Sequence, residues 1–86
     1  MAEAEAVQWC EMVWNSLREG GSWGIPRTGL IFQKQASRNA LVLVKRAPHD
    51  GGLPITERRL REMQDDDFEA TREHFAQLGV EVLDET

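Results

Sequence analysis

Two short apolar runs near the middle of the chain restrict its possible folds more than any other feature. Residues 30–34 read Leu-Ile-Phe-Gln-Lys, and residues 40–45 read Ala-Leu-Val-Leu-Val-Lys. Runs of this length and aliphatic content are typical of β-strands. The mainly polar segment between them ends at Asn39, the residue there that most readily adopts a positive φ. This arrangement predicts an antiparallel β-hairpin.

An amphipathic helix is predicted on each side of this hairpin. The first helix, residues 3–19, has an apolar stripe at helical spacing formed by Ala6, Cys10, Val13 and Leu17. Trp9 and Trp14 flank this stripe, and we expect them to help build the core. The second helix, residues 57–78, begins after Thr56, which is suited to cap its first turn. A glycine follows each helix and is suited to end it.

The order of elements is therefore α-β-β-α-β, with a final strand at residues 80–83, in an α+β fold. Because both helices are amphipathic, we expect them to pack on one face of a small, mainly antiparallel three-stranded sheet. A right-handed crossover would place the 30–34 strand in the middle. Residues 23–25 either begin that strand early or form a short strand of their own. The length of 86 residues predicts one domain, residues 1–86. The residues predicted to be largely buried are Val13, Leu17, Phe32, Leu43, Leu60, Phe75 and Leu78.

Residues suited to catalysis or metal binding are few. Cys10 lies in the apolar stripe, which predicts a buried structural thiol. His49 neighbours Asp50 in a glycine-rich loop at residues 48–55, and adjacent residues on such a loop seldom hold a catalytic geometry. Consecutive helical residues point about 100° apart, so the three aspartates at residues 65–67 do not converge on one ion. We therefore expect no enzymatic activity, no cofactor and no metal site.

The sequence also predicts a cytoplasmic protein. The single cysteine excludes an intramolecular disulfide bond. Residues 1–6 are acidic and lack the basic and apolar regions of a signal peptide. No apolar stretch approaches the ~20 residues that span a bilayer, so we expect no membrane partner.

The charge of the chain is unevenly distributed. Its net charge is −5, yet eight of its ten basic residues lie within residues 27–61, together with only two acidic residues. The candidate anion-binding residues at the end of the hairpin and the start of the second helix are Lys45, Arg46, Arg58, Arg59 and Arg61. A helix N-terminus rich in arginine is suited to bind an anion. The alternative is that these side chains pair with acids, for example Arg58 with Glu62 one helical turn later.

Trp23 and Arg27 form a second candidate binding site, before the hairpin. Tryptophan and arginine are the residues most enriched at the centres of protein interfaces, so the two side chains are suited to anchor a partner protein. The alternative for Trp23 is packing in the core. The chain offers no evident platform of aromatic residues on which nucleic-acid bases would stack.

These observations favour a small, non-enzymatic protein-interaction module or accessory protein, and homo-oligomerisation is compatible with this hypothesis. In size, acidity and lack of a catalytic site the chain resembles accessory proteins of phages or mobile elements, although no residues carry that resemblance. The alternative is a nucleic-acid or anion-binding module that uses residues 27–61. The acidic ends of the chain argue against it, because nonspecific nucleic-acid binding is largely electrostatic.

Overall fold

The computed structural model describes residues 2–25, 28–47 and 55–86. Its elements are α1 (Glu3–Ser16), β1 (Ser22–Gly24), β2 (Leu30–Gln35), a 3-10 turn (Ala36–Arg38), β3 (Ala40–Arg46), α2 (Glu57–Ala76) and β4 (Glu81–Asp84). The described residues thus contain two helices and one four-stranded sheet, which confirms the α+β class. The predicted loop at residues 48–55 lies almost entirely outside the described residues.

The predicted hairpin is present. Strands β2 and β3 pair antiparallel, and Asn39 between them has a φ of 52°. The Asn39 side chain donates a hydrogen bond from Nδ2 to the Gly79 carbonyl at 2.5 Å. Its own carbonyl accepts a hydrogen bond from the backbone N–H of Glu81 at 3.1 Å. Asn39 therefore joins the hairpin turn to the start of β4.

The sheet differs from the prediction in strand number, order and direction. It is a mixed sheet of four strands in the order β1-β2-β3-β4, in which β4 runs parallel to β3. Strand β1 is a separate short strand that pairs antiparallel with β2, placing Trp23 opposite Phe32. It occupies the edge of β2 that the prediction assigned to the final strand. The chain leaving β3 therefore passes through α2 and returns along the free edge of β3.

One face of the sheet carries the core. Successive strand residues point to opposite faces, so Phe32, Leu43 and Val82 share a face. They form a buried cluster with Cys10 of α1 and Phe75 of α2, which shows that both helices pack on this face. Of the residues predicted to be buried, Val13, Phe32, Leu43 and Phe75 are buried, whereas Leu17, Leu60 and Leu78 are half-buried.

Side chains hold the N-terminus of α2 and the C-terminus of α1. The Thr56 hydroxyl accepts a hydrogen bond from the backbone N–H of Arg59 at 3.1 Å, which confirms the predicted cap of α2. At the end of α1, the ammonium of Lys34 donates hydrogen bonds to the carbonyls of Trp14 and Leu17 at 2.6 and 2.9 Å. Lys34 lies on the core face of β2 and is itself buried. The helix ends at Ser16, three residues before the predicted end, where these carbonyls turn toward Lys34.

Candidate interaction surfaces

The structure separates the basic residues that were predicted to form an anion site. Lys45 pairs with Ile31 and Arg46 pairs with Leu30, so the two side chains point to opposite faces of the sheet. Lys45 is exposed on the face away from the helices, whereas Arg46 points toward α2. The end of the hairpin therefore contributes only Arg46 to the surface at the start of α2.

Arg46 is held by two carboxylates from different elements. Its guanidinium donates to Asp65 of α2 at 2.7 Å and to Asp84 of β4 at 2.9 Å, and its side chain is 16% exposed. The hydrogen bond to Asp65 raises the pKa of Arg46. Burial alone would raise the pKa of Asp84, but hydrogen bonds from Thr86 and Arg46 outweigh it and lower that pKa. Arg46 therefore cross-links β3, α2 and β4.

The three arginines at the start of α2 are exposed. Arg58 and Arg59 both contact the Glu62 carboxylate, at 3.3 and 3.4 Å, so the predicted pairing of Arg58 with Glu62 is present. Arg61 borders a cleft of about 420 Å³ whose described lining is Arg46, Ala47, Ile55, Glu57, Leu60, Arg61 and Gln64. Gln64, at the base of this cleft, donates to the carbonyls of Thr28 and Ala47. Anion binding by these arginines remains a prediction.

Trp23, the predicted anchor, packs against the core. Its ring stacks on Phe32 with 5.8 Å between centroids and meets Phe75 edge-on at 5.8 Å. The side chain is half-buried, so part of it still reaches solvent. Arg27 lies outside the described residues. Recognition of a partner by these two residues therefore remains a prediction, and the ring contacts are those of a core residue.

Two large apolar side chains on α1 are exposed to solvent. Trp9 is 53% exposed and Met12 is 63% exposed. Residues three apart are neighbours on a helix surface, so these two side chains lie side by side. The expectation that Trp9 helps build the core is therefore wrong, whereas Trp14 does pack against the core cluster. The sequence did contain a signal for this exposure. The apolar residues of α1 span an arc broader than one helix face can bury.

The helix that carries Trp9 and Met12 is acidic. Helix α1 carries Glu3, Glu5 and Glu11 and has no lysine or arginine. Glu5 lies one turn before Trp9 and therefore on the same side of the helix. We call Glu5, Trp9 and Met12 the α1 surface. It combines an apolar centre with negative charge, which suits a partner of the opposite charge.

A second exposed apolar region lies on the sheet face opposite the helices. Strand alternation places Ile31, Val42, Val44 and Leu83 there, and we call these four residues the open sheet face. Val42 is fully buried between its strand neighbours, whereas Ile31 and Leu83 are half-buried and Val44 is 43% exposed. A register shift between β2 and β3 leaves Val44 without a pairing partner, which explains its exposure.

Cys10 is buried, and this burial raises the pKa of its thiol, which disfavours the nucleophilic thiolate. Within residues 2–25, 28–47 and 55–86, no three His, Cys, Asp or Glu side chains are grouped to hold a metal ion. Neither described helix combines the length and apolarity required to cross a bilayer. His49 and Asp50 lie outside the described residues.

Comparison with known proteins gives no family assignment. No protein-family model, no curated protein and no solved structure matches the chain.

Proposed function

We propose that this protein is a non-enzymatic protein-interaction module that recognises a partner protein through the α1 surface. The observation that carries this proposal is the exposure of Trp9 and Met12 side by side on one helix. Single exposed apolar residues are normal on protein surfaces, but adjacent large ones mark interaction sites. Tryptophan and methionine are both enriched at protein interfaces.

The energetics favour these two side chains as the anchor of an interface. Full burial of a large apolar side chain contributes ~1.5–3 kcal/mol, and about half of that gain is still available for a half-exposed residue. Trp9 adds a large rigid ring with few rotatable bonds, so fixing it on binding costs little conformational entropy. Glu5 lies on the same side of α1 as this anchor and would contribute to the orientation of the partner.

The charge of α1 defines the chemistry of the partner. An apolar pocket bordered by lysine or arginine would receive Trp9 and Met12 and would attract the glutamates of α1. Electrostatic attraction of this kind raises the association rate at low salt and is screened at high salt. We therefore expect partner binding to weaken as salt concentration rises.

Affinity capture with matched variants tests the proposal. The full chain is immobilised, proteins from an extract of its source cells are quantified by mass spectrometry, and each enriched protein is purified and titrated. We expect Trp9→Ala to weaken binding at least ~30-fold, since a central tryptophan contributes 2 kcal/mol or more. The control is Asn15→Ala, an exposed polar residue of the same helix, which should change affinity less than ~2-fold. The proposal is wrong if Trp9→Ala depletes no captured protein, or if both variants have equal effects.

The exposed arginines at the start of α2 favour a second candidate function, binding of nucleic acids or other polyanions. Arg58, Arg59 and Arg61 lie in the first turns of that helix, where backbone N–H groups also attract anions. Glu62 offsets part of this charge. Fluorescence anisotropy with labelled DNA and RNA at ~150 mM salt, where the Debye length is ~8 Å, tests it. Micromolar binding that the double substitution Arg58→Ala with Arg59→Ala abolishes would establish the second function. Because the chain carries a net charge of −5 and Glu62 already contacts Arg58 and Arg59, we expect no such binding, which leaves the α1 surface as the preferred site.

A further inference from the structure

We propose that Met12 is a modification site, and that its oxidation to the sulfoxide switches off partner binding by the α1 surface. The inference rests on the proposed function, because it assigns a form of regulation to the same surface. It follows from the exposure of Met12, from the burial of the other described sulfur atoms and from the place of Met12 beside Trp9.

Met12 is the most exposed sulfur-containing residue that the structure describes. Its exposed fraction is 63%, whereas Met63 of α2 is half-buried. Met1 lies outside the described residues. A thioether has no proton to lose, so its reactivity toward a peroxide depends mainly on access of the oxidant. Among the described methionines, Met12 should therefore be oxidised first.

The single thiol of the chain does not compete with Met12 for the oxidant. Cys10 precedes Met12 by only two residues, but it lies on the buried stripe of α1 and is 5% exposed. Burial raises the pKa of the Cys10 thiol, whereas the thiolate is the form that peroxides oxidise. Oxidation of the native chain is therefore directed to the thioether of Met12.

The modification transfers one oxygen atom from hydrogen peroxide to sulfur. A lone pair of the Met12 sulfur attacks one peroxide oxygen, and the O–O bond breaks. The second oxygen leaves as water and takes both peroxide protons. Sulfur thereby loses two electrons and peroxide gains them. Methionine sulfoxide reductases reverse this oxidation, so the modification is suited to act as a switch.

The new oxygen atom lies at the apolar centre of the α1 surface. Because Met12 neighbours Trp9 on the helix, both side chains would enter the same apolar pocket of the partner. Helix α1 has no lysine or arginine that could donate to the sulfoxide oxygen. Transfer of such a polar group from water into an apolar pocket is unfavourable. In the free chain the oxygen stays hydrated, so oxidation opposes binding without opposing folding.

Limited oxidation of the purified chain by hydrogen peroxide tests the site. Glutamates directly precede Met12 and Met63, so cleavage after glutamate places each methionine in its own peptide for mass spectrometry. We expect sulfoxide to form at least ~5-fold faster at Met12 than at Met63. The urea midpoint of the oxidised chain should change by less than ~0.3 M, because the modified side chain is on the surface. Equal rates, or a faster reaction at Met63, would overturn the assignment of the site.

The binding test uses the purified protein that the wild-type chain captures and the Trp9→Ala chain does not. Oxidation of the wild-type chain should weaken its binding at least ~10-fold. Reduction by methionine sulfoxide reductases for both sulfoxide epimers should restore it. Addition of this partner before the peroxide should protect Met12 and leave the rate at Met63 unchanged, because only Met12 would be covered.

Two matched variants assign the effect to one residue. Met12→Leu stays apolar and forms no sulfoxide, so its affinity should be the same before and after peroxide treatment. Met63→Leu retains Met12 and should show the same loss on oxidation as the wild-type chain.

The outcomes separate this inference from the proposed function. Unchanged affinity after complete oxidation of Met12 overturns the inference and leaves the proposed binding at α1 intact. An equal loss in the oxidised Met12→Leu chain does the same, because the loss would then come from another residue. If Trp9→Ala depletes no captured protein, the proposed function and this inference fail together.

Discussion

Replacement of the buried Lys34 by methionine should strongly destabilise the fold. The Lys34 ammonium donates hydrogen bonds to the carbonyl of Trp14, in the last turn of α1, and to that of Leu17, just after the helix, at 2.6 and 2.9 Å. It lies 4.3 Å from the centroid of the Trp14 ring. Carbonyls at a helix C-terminus are partly negative and have no partners within the helix. Lys34 therefore supplies a donor to each of these two carbonyls and a favourable positive charge.

The expected magnitude follows from these contacts. A hydrogen bond to a charged group contributes ~1.5–3 kcal/mol, and a cation lying on an aromatic ring adds ~0.5–2 kcal/mol. Removal of the ammonium from water offsets much of this gain in the native state. Lys34→Met keeps the apolar stem and loses the ammonium, so we expect a loss of about 2–3 kcal/mol in the free energy of unfolding.

Urea denaturation measures this loss. With a slope of about 1 kcal/mol per molar urea for a domain of this size, the midpoint should fall by roughly 2–3 M. The control is Lys45→Met, the same substitution at an exposed lysine of the neighbouring strand, which should change stability by less than ~0.5 kcal/mol. Equal and small effects of the two substitutions would refute the role assigned to the Lys34 ammonium.

Four further predictions address the core, the helix cap, the thiol and acid stability. Phe75→Ala should cost roughly 3–5 kcal/mol in urea melts, since Phe75 is fully buried, and a loss below ~1 kcal/mol would contradict its place in the core. Thr56→Ala should cost about 1 kcal/mol by the same assay, and Thr56→Ser should restore most of it, because the cap needs a hydroxyl. Cys10 should react slowly with a thiol reagent in the native protein and quickly in urea; fast native labelling would indicate an accessible thiol. Although burial raises the pKa of Asp84, hydrogen bonds from Thr86 and Arg46 lower it overall, so its stabilising effect is present above the unfolded value of ~4 and is lost below it. Arg46→Met should therefore reduce the loss of stability on acidification, measured by urea melts between pH 5 and 2, and an unchanged pH profile would exclude this linkage.

The elements that local signals specify were predictable from the sequence. The hairpin, the positive φ of Asn39 and the cap at Thr56 all depend on residues close together in the chain. Asn39 adopts the left-handed region more readily than other non-glycine residues, and Thr56 precedes a long amphipathic segment. None of these features requires contacts between residues distant in the chain to be predicted.

The order of the strands depends on contacts that local patterns do not encode. Strand β1 has only three residues, one of them Gly24, and is too short for its alternation to be recognised in the sequence. Yet its pairing with β2 leaves the edge of β3 as the place for β4. Once β4 lies beside β3, the α2 crossover makes the pair parallel, and the predicted antiparallel sheet is replaced by a mixed one.

The candidate surfaces show that the apolar or polar type of a residue does not by itself predict whether its side chain is buried. Lys34 is expected at the surface by its type, but its position on the core face of β2 brings it to the end of α1. Trp9 is expected inside by its type, but the buried arc of α1 is centred on Cys10 and Val13 and does not reach it. Both outcomes depend on how the helix lies on the sheet, which the sequence pattern alone does not define.

The parallel pairing of β3 with β4 determines the order in which the chain can assemble. Strands β2 and β3 are close in sequence and can pair early, whereas β4 follows the 20-residue helix α2. Until α2 forms and docks, β3 presents a free edge along Ala-Leu-Val-Leu-Val, and aliphatic edges of this kind promote aggregation. Substitutions that slow the formation of α2 should therefore lower the yield of refolding at high protein concentration, even where they leave the stability of the native protein unchanged.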